Sequence, residues 1–255
     1  MRKTFFPVVL LLLFCLSSCM DIVEQYDFKA DGSCNVVYNF DMSKAVSVLM
    51  NLMTDSVRST PEFAMIKDTS LNFYSVLPDS TISKMSIDEV TMAQSSNLNI
   101  NMNLQKSLMK VSLSHQAKNA ADLQYYLEHI AHITNSGGIS AIAKGTKSGQ
   151  AAFDPQQLIS GEDYYTYEIT PHKFYRIIDI SKFQAFLKKT QATFAMAKAM
   201  LIETPYKLVL NFAKPVKKIN NRKAVLSADR RRVTLQTNMD EIIRDPASVN
   251  LKIDF

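Results

Sequence analysis

Two histidines at helical spacing are the closest approach to a metal site in this sequence. His129 and His132 lie three residues apart, with Glu128 beside them, in a stretch whose apolar residues recur with a helical period. Two imidazoles in this arrangement could share a zinc ion. Both fall outside the apolar stripe, however, which indicates side chains that face solvent. We therefore predict no metal and no cofactor here.

Known catalytic motifs do not appear anywhere along the chain. The sequence contains no Gly-x-Ser-x-Gly, no His-Glu-x-x-His, no phosphate-binding loop and no dinucleotide-binding fingerprint. No nucleophile lies beside a base in a pattern that we can assign to a reaction. We predict a protein without catalytic residues and keep an uncharacterised enzyme as the third interpretation.

Cys19 carries the strongest chemical signal. Arg2 and Lys3 precede an apolar run of about twelve residues, too short to span a bilayer as a helix, and Ser17-Ser18 leads into the cysteine. This pattern resembles a bacterial lipoprotein signal peptide. The resemblance implies that residues 1–18 are removed and that Cys19 receives acyl chains such as palmitate. Each buried methylene contributes about 0.8 kcal/mol, so two or three chains anchor a protein stably in a membrane.

Charge and cysteine content limit the cell compartments in which we expect the protein and the classes of partner that it could bind. The formal net charge of +5 comes from interspersed acidic and basic residues, which does not favour nucleic acid as a partner. With Cys15 lost with the signal and Cys19 acylated, Cys34 is the one thiol left, and its alternating surroundings predict a buried strand residue. We expect a cell-envelope protein on the outer membrane, facing the periplasm and held there by its N-terminal acyl chains.

Alternating apolar and polar residues predict strands along most of the mature chain. The strand signals lie at 23–30, 34–40, 98–104, 108–114, 164–170, 173–179, 206–212, 224–228, 232–237 and 249–255, and the helical signals at 42–53, 83–94, 120–134, 181–203 and from 238. Each strand has one polar face, which is typical of antiparallel sheets with one side in water. We predict an α+β fold, a curled antiparallel β-sheet with helices packed on one face.

A glycine-rich stretch divides the mature chain near its middle. Four of the six glycines fall between 137 and 149, which is typical of a loop or linker. We therefore predict a first α+β half at 19–134, a linker at 135–150 and a second half at 151–255. Asp41-Met-Ser43-Lys44 and Asp179-Ile-Ser181-Lys182 each close a hairpin and open a helix. Two similar ββα-ββα halves, made by duplication, would explain this repetition, and so would ordinary helix capping.

Two stretches carry a resemblance to known lipoproteins. The hairpin EQYDFKADGSCNVVYNFDMS and the C-terminal NNRKAVLSADRRRVTLQTNMDEI are similar to uncharacterised lipoproteins of the Bacteroidota type, and more distantly to LppM-like lipoproteins. The resemblance implies an antiparallel β-rich domain with helices and an envelope role in binding a lipid or glycolipid. These motifs are structural, so they assign no functional residue.

The first functional hypothesis is a non-catalytic module that binds a lipid or another apolar envelope ligand between the sheet and the helix at 181–203. Aromatic rings and adaptable methionines suit such a groove. The expected lining is Tyr165, Tyr167, Phe183, Phe186, Phe194, Met196 and Met200.

A second hypothesis is a structural lipoprotein with a solid core that docks an envelope protein partner. Residues 214–232 hold eight basic residues, among them Arg230, Arg231 and Arg232. These three arginines could contact anionic groups of a lipid or partner. Solvated turns that protect a sheet edge would show the same composition.

Overall fold

A computed structural model of the chain describes residues 21–60, 64, 66–133, 164–199 and 204–255. The predicted signal peptide, Cys19 and the predicted linker at 135–150 lie outside these residues.

Two sheets hold the strands of the described ranges. The strands are β1 (Asp21–Phe28), β2 (Cys34–Asp41), β3 (Ile66–Asn72), β4 (Ser96–Asn103), β5 (Leu108–Ala117), β6 (Tyr165–Thr170), β7 (Lys173–Ile178), β8 (Pro205–Phe212), β9 (Lys218–Ile219), β10 (Val225–Leu226), β11 (Arg232–Asn238) and β12 (Leu251–Asp254). The larger sheet has the order β10-β11-β8-β1-β2-β5-β4-β3, and the smaller one has the order β6-β7-β12-β9. With its helices, the chain has the predicted α+β fold.

Helices connect the strand pairs. They are α1 (Ser43–Leu52), α2 (Asp55–Arg58), α3 (Asp79–Ile82), α4 (Ile87–Gln94), α5 (Ala120–Ile133), α6 (Ile180–Ala199) and α7 (Met239–Arg244). Side-chain caps fix four of the starts. Ser86 and Glu89 form a reciprocal capping box on α4, and Asn119, Asp179 and Asn238 each accept a hydrogen bond from the amide three residues further on, at the starts of α5, α6 and α7. Among the described residues, we find no helix with the length and apolar character needed to cross a membrane.

The β1–β2 hairpin forms where the sequence predicts it. Gly32 has φ +87°, a backbone angle that residues other than glycine rarely adopt. Asp31 accepts hydrogen bonds from the amide and the hydroxyl of Ser33. This turn places Phe28 opposite Cys34. The register that follows determines which side chains of β1 and β2 share a face.

One strand pair departs from the predicted antiparallel pattern. Strands β1 and β8 run parallel, from the Ile22–Tyr206 pair to the Phe28–Phe212 pair. Apolar alternation looks the same in either direction, so the sequence pattern carries no information on this point. Because β8 and its neighbours β10 and β11 come from the C-terminal half, strands of both halves form the larger sheet.

The core lies between the two sheets. On β1, Ile22 and Tyr26 are buried, whereas Val23 and Gln25 on the opposite face are only half-buried. Aromatic rings from both sheets meet in this core, with ring centroids 5.2 Å apart for Tyr26–Phe174, 5.0 Å for Phe28–Phe212 and 4.5 Å for Phe212–Phe255. The opposite face of the larger sheet therefore stays free to carry polar side chains.

Candidate binding site on the open sheet face

The open face of the larger sheet contains a cavity of about 570 Å³, within the size range of small-molecule sites. Five neighbouring strands, β1, β2, β5, β4 and β3, supply its lining. The polar lining residues are Asp21, Asn39, Asp41, Asp68, Thr69, Ser70, Asn99, Asn101, Lys110 and Ser112. We call these ten residues and the space they enclose the sheet-face cavity.

Strand register brings together the first row of these side chains. Asn39 on β2 pairs with Ser112 on β5, Ser112 pairs with Asn99 on β4, and Asn99 pairs with Ser70 on β3. Paired residues point to the same side, and neighbouring strands lie about 4.8 Å apart. The result is an uncharged row of amides and hydroxyls, each able both to donate and to accept a hydrogen bond.

A second row, two residues along each strand, carries charge. Asp21 pairs with Asp41, Asp41 with Lys110, Lys110 with Asn101, and Asn101 with Asp68. The row therefore contains three carboxylates and one ammonium group. It lies at the end of the sheet where β1 begins.

The residues of the sheet-face cavity differ in solvent exposure and form a half-buried floor and an exposed rim. Asp21, Asp41, Asn99 and Ser112 are half-buried, and they form the floor together with Val23. The exposed residues Asn39, Asp68, Ser70, Asn101 and Lys110 form the rim. A ligand could thus reach hydrogen-bonding groups at two depths.

Asp41 is the most constrained charge in the cavity. Its carboxylate lies 2.9 Å from the Lys110 ammonium, and it accepts a hydrogen bond from the Ser43 amide at the start of α1 at 3.0 Å. Burial alone would raise the pKa of Asp41, but the hydrogen bonds from Ser43 and Lys110 outweigh it, so the pKa lies below its ordinary value. Asp41 therefore stays ionised and fixes Lys110 in the middle of the charged row.

The aromatic residues predicted to line a groove pack against one another. Tyr165, Tyr167, Phe183 and Phe186 are buried, and Phe194 is partly buried. Tyr164 joins them, with ring centroids 4.7 Å from Tyr165, 4.9 Å from Phe183 and 5.1 Å from Phe186. The side chain of Met196 and the whole of Met200 lie outside the described residues. The sequence thus identified an aromatic cluster between α6 and the smaller sheet, and in the structure its rings belong to the core.

The three predicted arginines are not equivalent. Arg230 has φ 57°, and its guanidinium donates to the carbonyls of Val216 and Lys217, so it closes the turn before β11. Arg232 donates through Nε to the Asn211 amide oxygen at 2.7 Å. Arg231 is exposed. Two of the three guanidinium groups, those of Arg230 and Arg232, therefore form hydrogen bonds that stabilise the fold.

Of the two histidines on α5, only the side chain of His129 belongs to the described part of the chain. His129 bonds through Nδ1 to the Tyr125 carbonyl at 2.8 Å and stacks on the Tyr125 ring. The His132 side chain lies outside the described residues. Within the described ranges, no group of three or more histidine, cysteine or acidic side chains is arranged to hold a metal ion.

A buried ion pair is the main polar feature that the sequence interpretation missed. Arg176 on β7 donates through Nη1 to Glu24 on β1 at 2.6 Å and to the Tyr206 hydroxyl at 2.9 Å. Tyr206 donates in turn to Glu24, and the Tyr165 ring covers the guanidinium at 4.4 Å. A signal was present: Glu24 lies between Ile22 and Tyr26 in the alternation of β1.

Ser96 and His115 form a second buried polar pair. Ser96 Oγ lies 3.0 Å from His115 Nδ1 and donates to the Met92 carbonyl at 2.8 Å. Tyr126 stacks on the imidazole with ring centroids 3.9 Å apart, and burial lowers the pKa of His115 to about 4. The serine proton points to a carbonyl rather than to the imidazole, so this pair is not a nucleophile with its base.

Comparison with known proteins returns no relative. No protein-family model, curated protein or solved structure matches the chain.

Proposed function

We propose that this protein is a lipid-anchored, non-catalytic binding module of the bacterial cell envelope, and that it holds its ligand in the sheet-face cavity. The acylation of Cys19 and the outer-membrane location come from the signal pattern alone. The geometry of the sheet-face cavity supports it as the ligand site, and we prefer it to the apolar groove.

The observation that carries the proposal is the composition of the cavity. Two rows of amides, hydroxyls and charged groups line about 570 Å³ of space on five strands, together with the apolar residues Val23, Phe40, Ile100 and Val111. Side chains on paired strands are held more rigidly than side chains on loops, so their hydrogen-bonding groups are positioned before the ligand arrives. Such a surface suits a ligand that carries polar groups beside apolar ones.

The state of the titratable groups supports binding rather than catalysis. Asp41 and Lys110, which face the cavity, neutralise one another at 2.9 Å. His115 and Ser96 are buried on the other face of the sheet, at 2 % and 0 % exposure. Neither pair offers the cavity a base with a free lone pair next to an acid.

A second candidate function is docking of an envelope protein. Strand β3 is the last strand of the larger sheet, and its seven residues run beside the cavity. An extended segment of a partner could add to such an edge by main-chain hydrogen bonds. The experiment below separates a small ligand from a protein.

Native mass spectrometry of the full-length protein, extracted from its own membranes in mild detergent, tests the proposal. We expect a small molecule to be retained at one copy per chain. The double variant Asn99→Leu/Ser112→Val should lose this molecule, because it removes two hydrogen-bonding groups from the floor while leaving the strands intact.

The chain offers a matched control on the same two strands. Asn97 and Ser114 pair on the same face, two residues away from Asn99 and Ser112, and do not line the cavity. Asn97→Leu/Ser114→Val should therefore keep the ligand. Loss from both double variants, or from neither, contradicts the proposal, and a retained protein instead of a small molecule favours the docking alternative.

A further inference from the structure

The charged row of the sheet-face cavity lies beside the point where the chain would leave the membrane. Asp21 begins β1 and lines the cavity. Two peptide units separate it from Cys19, so the two Cα atoms are at most about 7 Å apart. Once Cys19 is acylated, Asp21 therefore lies close to the lipid headgroups.

The remaining members of the charged row lie at the same end of the sheet. Asp41 is the last residue of β2, opposite Asp21, and the pairing continues through Lys110 and Asn101 to Asp68. The uncharged row lies further from that end. A ligand that approaches from the membrane surface meets the charged groups first.

The order of the side chains along the charged row determines which kind of lipid headgroup the cavity can bind. Lys110 stands between Asp41, 2.9 Å away, and the amide of Asn101, while the exposed carboxylate of Asp68 follows one strand further on. Lys110 and Asn101 can donate to phosphate oxygens, and Asp68 can accept from an ammonium group about one strand spacing beyond them. A phosphate joined to a primary ammonium by a short linker matches this order.

The same groups disfavour other headgroups. A headgroup with net negative charge would face three carboxylates and a single lysine. A quaternary ammonium has no N–H to donate to Asp68, so it forgoes a charge-assisted hydrogen bond. An apolar chain could pack on Val23, Phe40, Ile100 and Val111 but would leave the carboxylates, amides and hydroxyls of the cavity without hydrogen-bond partners.

From these observations we infer that the sheet-face cavity binds a zwitterionic phosphoethanolamine group, presented by a membrane phospholipid or by a soluble compound. This inference rests on the proposed function, because it names the ligand class of the same cavity.

Calorimetric titration of the full-length protein in detergent tests the chemistry, with glycerophosphoethanolamine as the probe. Glycerophosphocholine and glycerol phosphate are the comparison probes. We expect saturable binding of the ethanolamine compound and about tenfold weaker binding of the other two, equivalent to one charge-assisted hydrogen bond. Equal binding of the ethanolamine and choline compounds, or no binding of any probe, overturns the inference.

Two variants locate the contacts. Asp68→Asn should reduce the preference for ethanolamine over choline, since it removes the charge that accepts from the ammonium group. Lys110→Met should weaken both compounds, since both carry the phosphate. Lys106→Met and Asp79→Asn change the same residue types at exposed positions outside the cavity and should alter neither affinity.

Reconstitution distinguishes the two sources of the headgroup. The protein is released for native mass spectrometry from nanodiscs that contain phosphatidylethanolamine and phosphatidylcholine. Retention of one phosphatidylethanolamine, lost in Asp68→Asn, supports a membrane lipid. Binding of the soluble probe without lipid retention supports a soluble compound with the same headgroup.

Failure of this inference can be told from failure of the proposed function. If another small molecule is retained and is lost from Asn99→Leu/Ser112→Val, the cavity is a binding site and only the headgroup assignment is wrong. If nothing is retained and no probe binds, both are wrong.

Discussion

Glu24 and Arg176 form an ion pair that joins the two sheets, with an Nη1–Oε2 distance of 2.6 Å and almost no exposure of either side chain. Glu24 lies on the larger sheet and Arg176 on the smaller one. Their contact is closed by the Tyr206 hydroxyl, which bonds to both. The relative position of the sheets is thus fixed by a directional contact as well as by aromatic packing.

Arg176→Met should destabilise the protein by about 3–5 kcal/mol, because the Glu24 carboxyl would be left buried without the group that pairs with it. Equilibrium unfolding in denaturant measures this change. Glu24→Leu/Arg176→Met should recover most of the loss, since it leaves no unpaired charge. If Arg176→Met were as stable as the parent protein, this would contradict the buried ion pair between Glu24 and Arg176. Lys173→Met is the control. It breaks an exposed ion pair between Lys173 on β7 and Glu168 on β6, and it should change the free energy of unfolding far less.

His115 should make stability depend on pH in a defined window. In the folded protein, burial lowers the pKa of His115 to about 4, from an ordinary value of 6.5. Above pH 6.5 the imidazole is neutral in both states. As pH falls from 6.5 to 4, the unfolded chain binds a proton that the folded chain does not, so stability decreases, by up to about 3 kcal/mol, and the loss levels off below pH 4.

Unfolding free energies measured across this range, for the parent protein and for His115→Gln, test the assignment. The variant should show a flatter profile, whatever its absolute stability. His172→Gln, which changes an exposed histidine in the β6–β7 turn, is the comparison variant. Parallel profiles for the parent protein and His115→Gln would show that His115 does not titrate as described.

The thiol of Cys34 should not react with alkylating reagents in the folded protein. Burial raises the pKa of its thiol well above the ordinary value, and reactivity requires the thiolate. Iodoacetamide at about pH 8 should therefore leave Cys34 unmodified, and addition of guanidinium should expose one reactive thiol. Labelling is quantified by intact mass. Complete alkylation without denaturant would contradict the burial of Cys34.

Cys19 should accept palmitate in the producing bacterium. Metabolic labelling with an alkyne-bearing palmitate, followed by purification, should give a labelled full-length protein. Cys19→Ala should abolish the label, and Cys34→Ala, which changes the other mature cysteine, should retain it. A labelled Cys19→Ala protein would show that the lipoprotein interpretation of the leader is wrong.

The sequence predicted local structure well, because local structure depends on alternation and turn chemistry. The β1–β2 hairpin follows from Asp31-Gly32-Ser33, and the asparagines between Leu98 and Leu104 do lie on one face of β4. Both predictions needed only neighbours in the chain.

Contacts between distant strands could not be predicted in the same way. The sheet-face cavity exists because β2, β5, β4 and β3 are paired in a particular register, and no single strand contains that information. The parallel placement of β8 beside β1 is a further long-range choice. Glu24 could have been noticed as a charge on an apolar face, but its partner on β7 lies 152 residues away.

The position of β1 between β2 and β8 also governs how this protein can be made. The β8 residue that bonds to Glu24, Tyr206, lies 182 residues further along the chain. As the chain is synthesised, β1 can pair with β2 early, but its other edge stays unpaired until β8 has been made. Closure of the larger sheet is therefore a late event in the folding of the chain. A chain that ends before β8 keeps an unpaired edge on β1 and lacks the Tyr206 hydroxyl that donates to Glu24. An unpaired strand edge of this kind favours aggregation.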